Sequence, residues 1–214
     1  MVLMPRKFLT IIIPVFNTNL TFLKKCINSV KKQNCNDVEI IIIDDYSKYR
    51  ISSFLKKIND KKIRVYRNLR NYGVSFSRNK AVNISRGEYI TFVDSDDYIF
   101  QKTLNSIKNS IIKNKFPDIV ATKFDTNYFK IINNKKFFDK NFNFKKKEQI
   151  ITNFSKISYK QFWHFDTVWG LFFRKKFLKK NRIFFEKKAF RGEDQEYVVK
   201  SFFLSNKTLI IKKK

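Results

Sequence analysis

Asp94, Asp96 and Asp97 close the short apolar run of the stretch Y-I-T-F-V-D-S-D-D-Y, Tyr89 to Tyr98. Carboxylates two residues apart across a small Ser95 can address one hard cation from a turn, because such cations take oxygen ligands. A cation held there could in turn hold a diphosphate. A helix N-cap would use one aspartate of the three. A calcium loop of the EF-hand type is excluded, since its glycine position falls on Ile99 and its bidentate glutamate position on Asn105. The same grammar recurs where V-E-I-I-I-I, Val38 to Ile43, ends in Asp44-Asp45. A third acidic group, Glu193-Asp194 with Glu196, opens a helical pattern, where first-turn carboxylates also complement the helix dipole.

The elements that must position these groups are legible in the apolar periodicity. Phe8 to Pro14 reads as a buried first strand that Pro14 ends by removing a donor. Leu23, Cys26, Ile27 and Val30 recur at helical spacing, so Leu20 to Gln33 is an amphipathic helix. Strands at Val38 to Ile43 and Ile63 to Tyr66 flank a short helix marked by Ile51, Phe54, Leu55 and Ile58. The resulting βαβαβ order predicts a doubly wound, mostly parallel α/β sheet, with ligands outside the carboxyl ends of its strands. A polar loop around Gly73 leads into a helix over Ser75 to Ser85, whose start carries Arg78 and Asn79 and could receive an anion. Gly87 reads as the C′ glycine of that helix. Past the acidic stretch come a helix over Lys102 to Asn114 and a strand over Ile119 to Phe124.

Asp125 to Phe144 lacks a clean period and suits a mobile loop or hairpin over a site. The aromatic segment after it, Trp163 to Phe165 and Thr167 to Phe173, holds His164, the single histidine, whose neighbours favour a structural part. Leu209 to Ile211 is strand-like.

Composition limits the function classes. The 214 residues suffice for one domain with a proper core and no staples. The two cysteines, Cys26 and Cys35, lack metal-ligand spacing and read as structural thiols of a reducing compartment. No apolar run has the length of a membrane span, and the apolar start lacks a small-residue cleavage site. The formal net charge of +28 attracts nucleic acid, anionic lipid or anionic substrates, or else follows from a Lys-, Asn-, Ile- and Phe-rich bias. Against that field, eight of the 18 carboxylates fall in the three clusters named above, a contrast that suggests a purpose.

Four blocks together resemble the family 2 glycosyltransferases, which use the GT-A fold. They are I-I-I-P-V-F-N at Ile11 to Asn17, I-I-D-D-Y-S at Ile42 to Ser47, N-Y-G-V-S-F-S-R-N at Asn71 to Asn79, and G-E-Y-I-T-F-V-D-S-D-D at Gly87 to Asp97. V-W-G-L-F-F-R at Val168 to Arg174 is similar to the family's tryptophan-containing strand, and G-E-D at Gly192 to Asp194 to its acidic helix start. The resemblance implies a single GT-A domain over 1–214, with a nucleotide-sugar half at about 8–124 and an acceptor half at about 125–214. It implies that Pro14, Val15, Phe16, Asn17 and Asp45 grip the base, that Arg78 and Asn79 lie along the diphosphate side, and that Asp94, with Ser95 beside it, faces the ribose or metal. Asp96 is then the direct ligand of Mn²⁺ or Mg²⁺ in the D-x-D element and Asp194 the catalytic base, with Trp169, Glu193 and His164 on the acceptor side. Tyr46 stands where the family usually has glycine, and Gly170-Leu171 replaces a more polar pair.

The implied reaction is inverting transfer of a sugar from a nucleotide-sugar, UDP in particular, to a glycan or lipid-linked hydroxyl in bacterial surface-polysaccharide synthesis. The expected place is the cytoplasm, peripherally at the anionic inner face of the membrane. A nucleotidyltransferase could use the same sheet and metal, but V-F-N-T-N is not the Gly-rich basic loop that holds a triphosphate. A basic nucleic-acid-binding module would account for the charge, yet no recognition motif is present, so no nucleic-acid partner is expected.

Overall fold

Alternate residues of the first strand, β1 (Lys7–Val15), enter two different cores, and this sets the layers of the molecule. Leu9, Ile11, Ile13 and Val15 join one apolar cluster, and Ile12 joins the other. A computed structural model describes residues 7–33, 35–122, 148–152, 167–186 and 192–211.

In chain order β1 is followed by α1 (Leu20–Lys31), β2 (Val38–Asp44), α2 (Tyr49–Lys56), β3 (Ile63–Arg67), α3 (Val74–Ile84), β4 (Gly87–Phe92), α4 (Thr103–Lys113) and β5 (Ile119–Thr122). Then come β6 (Glu148–Ile151), β7 (Leu171–Arg174), α5 (Lys175–Lys180), α6 (Glu193–Leu204) and β8 (Thr208–Ile211). The strands form one sheet in the order β3-β2-β1-β4-β7-β5-β8-β6. All pairs from β3 to β4 are parallel, as is β5 with β8, while β7 runs antiparallel to β4 and β5, and β6 antiparallel to β8. The fold is the expected α/β class with a mostly parallel sheet.

Crossovers of one hand place α1 and α2 on one face while the chain winds from β1 to β3, and α3 on the other face when it returns to β4. The cores agree. Leu23, Cys26, Ile27 and Val30 of α1, Ile51 and Leu55 of α2, and Leu104, Ile107 and Ile111 of α4 pack in the first cluster. Ala81 of α3, Phe177 and Leu178 of α5, and Tyr197, Val198 and Phe202 of α6 pack in the second. The order of winding reverses between β1 and β4, so the cleft outside their carboxyl ends is the topological switch point where such sheets bind ligands.

Three local expectations need correction. Pro14 does not end β1, which runs to Val15 with Pro14 opposite Ile43. The carbonyl of Ile12 accepts from Val93 on the β4 side and that of Val15 from Asp45 on the β2 side. Two residues past Ile12, Pro14 therefore turns its missing donor toward β4 beyond the last pair there, Ile12 with Phe92, and the β2 ladder survives.

Gly87 is not a left-handed helix cap; it opens β4. Its amide donates to Thr10 Oγ1 at 2.9 Å, and a Cβ in its place would stand 2.5 Å from the Thr10 amide nitrogen. Close approach of two strands, not a turn, requires the glycine. Finally, β7 begins at Leu171, and Trp169 lies in the turn before it, where Gly170 has φ 67°.

Cys26 and Cys35 are free and buried, as expected. The Cys26 thiol donates to the Asp94 carbonyl at 3.4 Å, and burial, followed by the nearby Asp97, Asp94 and Asp96 charges, pushes its pKa up to about 12. The segment Asp125 to Phe144 and His164 lie outside the described residues.

Candidate active site

Two loops at the carboxyl ends of β1 and β2 are tied to each other first. Asn17, in the left-handed region at φ 51°, donates its amide hydrogen to Ser47 Oγ at 3.1 Å and accepts from the Lys48 amide on its side-chain oxygen at 2.8 Å. Asp44, fully buried at the end of β2, accepts from the Ser47 amide at 2.8 Å and pairs with Arg67, which also donates to the Ser47 carbonyl. Tyr46 sits between them at φ 67°, a conformation that explains why a glycine is usual there, with the Arg67 guanidinium 5.0 Å from its ring centre. Pro14 and Val15 are buried under this loop pair, while Phe16 stands half exposed at its rim.

Asp45 is buried and already engaged. Its carboxylate accepts from Asn68 Nδ2 at 2.7 Å and from the amides of Tyr72 and Gly73 at 3.0 and 2.8 Å. The anion received at the entry to α3 is thus the chain's own side chain, and Asp45 shapes the base-side loop from within. Asn79, expected along the diphosphate, spends both ends of its amide on the backbone of Phe185, donating to the carbonyl at 2.8 Å and accepting from the amide at 2.9 Å. Its place on the inner side of α3 makes it a pin for the segment after α5.

Arg78 also departs from the expected open anion receptor. It is 2% exposed, one turn into α3, and its guanidinium stands between the acidic turn after β4 and the start of α6. Nη2 donates to Asp94 at 3.0 Å, while Nη1 pairs with Asp194 and lies 3.6 Å from Glu193. The rings of Phe92 and Phe185 lie 6.0 and 5.1 Å from it. Phe185 in turn stacks on Tyr197 at 3.9 Å. Sequence reading placed Phe92 in its strand but missed Phe185, because I-F-F at 183–185 has no periodic context to mark it.

Asp94 is held from a second side by Trp169, whose indole Nε1 donates to its other oxygen at 2.9 Å. An aromatic expected on the acceptor side thereby orients a carboxylate expected on the donor side. Ser95 is buried and shares a hydrogen bond with Thr18, which links the loops after β1 and β4 across the switch point. The Asp97 amide closes the turn on the Asp94 carbonyl at 3.0 Å. Asp96 and Asp97 present exposed surface.

Electrostatics mark two carboxyls. Desolvation, and after it the charges of Asp94 and Asp96, pushes Asp97 up to about 6. Asp94 is already paired with Arg78 and Trp169, while Asp96 and Asp97 stand exposed beside it; among the described residues no three such side chains gather closely enough to hold an ion alone, so oxygens of a bound diphosphate would have to complete the shell of a hard cation here. Asp194 is also pushed up to about 6, by burial first, against the lowering effect of Arg78 and with further raising by Glu193 and Asp94. A carboxylate at the start of an exposed helix would show no such shift. A partly desolvated carboxyl that titrates near neutrality is a group suited to accepting a proton.

An α/β sheet with loops from β1, β2 and β4, an acidic turn and an opposed carboxylate around its switch point defines the GT-A class of nucleotide-sugar enzymes. The chain belongs to glycosyl transferase family 2, whose model matches residues 10–182. It is 26% identical over 212 residues to glycosyltransferase GlyA of Streptococcus pneumoniae, covering 96% of this chain and 29% of that protein. It is 37% identical over 101 residues to a poly(ribitol-phosphate) beta-glucosyltransferase of Bacillus spizizenii, covering 45% and 16%. S. aureus TarS 1-349 in complex with UDP-GlcNAc superposes with a TM-score of 0.80 at 23% identity, over 97% of this chain and 56% of that one. This chain spans about a third of the length of the curated relatives it matches. Family membership sets the nucleotidyltransferase reading aside.

Proposed function

We propose that the chain carries an inverting glycosyltransferase activity that moves a sugar from a UDP-sugar to a hydroxyl of a glycan or lipid-linked acceptor in surface-polysaccharide synthesis. The observation that carries the reading is the opposition, across Arg78, of the acidic turn after β4 and Asp194 with its raised pKa. The family match supports the reaction class, and the UDP-GlcNAc complex of TarS supports the donor type.

Asp96, with Asp94 and Asp97 beside it, would hold Mn²⁺ or Mg²⁺, which supplies Lewis-acid neutralisation of the charge on the leaving diphosphate. The loops after β1 and β2 and the rim residue Phe16 frame the base. Trp169 and Arg78 keep the Asp94 carboxylate aimed at the donor side. Asp194 takes the proton of the acceptor hydroxyl as its oxygen bonds to the anomeric carbon. The bond from that carbon to the diphosphate oxygen breaks, and its electron pair leaves with UDP. One in-line displacement inverts the centre, and positioned proton removal contributes roughly 10²- to 10⁴-fold.

Among the described residues no helix is long and apolar enough to cross a membrane. We place the protein peripherally at an anionic inner membrane face, where each Lys or Arg near the surface contributes about 1 kcal/mol.

The test is UDP release from a panel of UDP-sugars, followed from pH 5 to 8. The base works deprotonated, and its folded pKa is raised to about 6, so kcat/KM should climb about tenfold per unit below that value and level off above it. Release that ignores pH across this window sinks the assignment of Asp194, and no release from any UDP-sugar sinks the donor.

A further inference from the structure

We propose that a basic groove at the pole opposite the active site binds the phosphates of a linear polyanion. The groove is lined by Arg86, Lys175, Lys176, Lys179 and Lys180, with Gly87 and Glu88 at its floor. Gly87 starts β4 and Asp94 follows its far end, so at about 3.3 Å per residue the two sites lie roughly 20 Å apart. This site is independent of the donor reading.

Its charge is concentrated by helix geometry. Phe177 and Leu178 of K-K-F-L-K-K are buried, which turns Lys176, Lys179 and Lys180 of α5 to the outer side together, while Lys175 is half-buried. Like charges four apart on this helix repel, although Lys179 and Lys180 in its last turn also complement the helix dipole. The Glu88 carboxylate in the groove is taken by Arg174 at 3.1 Å. Glu39 beneath it accepts from Thr10, Arg64 and the Arg86 amide. Among the described residues, no carboxylate pairs with Arg86, Lys176, Lys179 or Lys180. Lys175, which donates to the Ser85 carbonyl, is pushed below the usual lysine range by burial first and then by Lys179, against the raising effect of Glu39.

Charge decides the occupant. Arg86, Lys176, Lys179 and Lys180 line one open recess, so a chain of phosphates can meet these cations in succession where a single small anion would meet one or two.

The probe is inorganic polyphosphate, titrated by calorimetry into wild type, into a Lys176→Glu/Lys179→Glu/Lys180→Glu variant, and into a Lys56→Glu/Lys57→Glu/Lys61→Glu control of equal charge change. All six positions are exposed, so both variants should fold, and a melting curve verifies it. The groove variant should bind at least tenfold more weakly, with a salt dependence flatter by about three ion contacts, and the control should bind far better than it. Equal loss in both variants would show a diffuse field and overturn the site. No binding of polyphosphate by wild type, or binding only to anionic phosphatidylglycerol vesicles, would overturn it as well, the second in favour of a membrane patch.

Discussion

Asp194→Asn should lower sugar transfer roughly 10²-fold or more while UDP and divalent-cation binding should stay near wild type. The reason is that a base acts on the acceptor in the transition state, whereas groups that hold the donor are already engaged in the ground state. Asparagine keeps the size of the side chain and its place beside Arg78, yet accepts no proton. Arg78 retains its 3.0 Å pair with Asp94, so its burial is still compensated in the variant. Asp96→Asn, by contrast, should damage donor binding and transfer together. Steady-state kinetics with a calorimetric UDP titration, each beside a melting curve, separate the two. Full transfer activity in Asp194→Asn would reduce this residue to an ion-pair partner and pass the role of base to Glu193.

Arg78→Met is expected to be the most destabilising change at the site. A methionine of similar length fills the space between Phe92 and Phe185 but leaves Asp94, Asp194 and Glu193 facing one another without a cation. Removing one partner of a buried pair costs about 3–5 kcal/mol. The lower part of that range applies, because the three carboxylates keep 27%, 18% and 22% side-chain exposure. At about 2–4 °C per kcal/mol for a chain of this size, a cost of about 3–4 kcal/mol should lower melting by roughly 6–16 °C. The sign with pH follows. Carboxyls crowded together have folded pKa values raised above their unfolded ones, so stability is lost as pH rises, and the deficit should be larger at pH 8 than at pH 5. A variant that melts within about 2 °C of wild type at both values would show that Arg78 is no structural clamp.

The parallel half of the fold was legible because β1 and β2 carry runs of consecutive isoleucines, and because β2 and the stretch through β4 lead into acids. The run I-I-I-I before Asp44 can only be a strand covered on both faces. What such runs do not reveal is what their terminal acids touch. Asp44 meets Arg67, and Asp94 meets Trp169, across 23 and 75 residues of sequence, and no spacing rule reaches that far. The acidic turn after β4 was recognisable from three carboxylates within four residues, whereas the partners that Arg78, Asn79 and Asp45 take were not. In each case the nearest opposite charge or amide came from another element of the protein. The short α5 and β6 escaped notice for a different reason, since six and four residues hold too little period to register.

The central claim is a UDP site completed by a cation on the turn after β4. Its most direct measurement is the melting temperature with UDP, GDP or CDP, each with Mn²⁺ and with EDTA. A ligand at about 100 times its Kd adds about 2.7 kcal/mol to a native state that alone binds it, equivalent to roughly 5–10 °C here. UDP with Mn²⁺ should give a shift of that size, GDP and CDP smaller ones, and EDTA or Asp96→Ala should abolish it. A UDP shift that persists undiminished in EDTA, or an equal shift with all three nucleotides, would contradict the account.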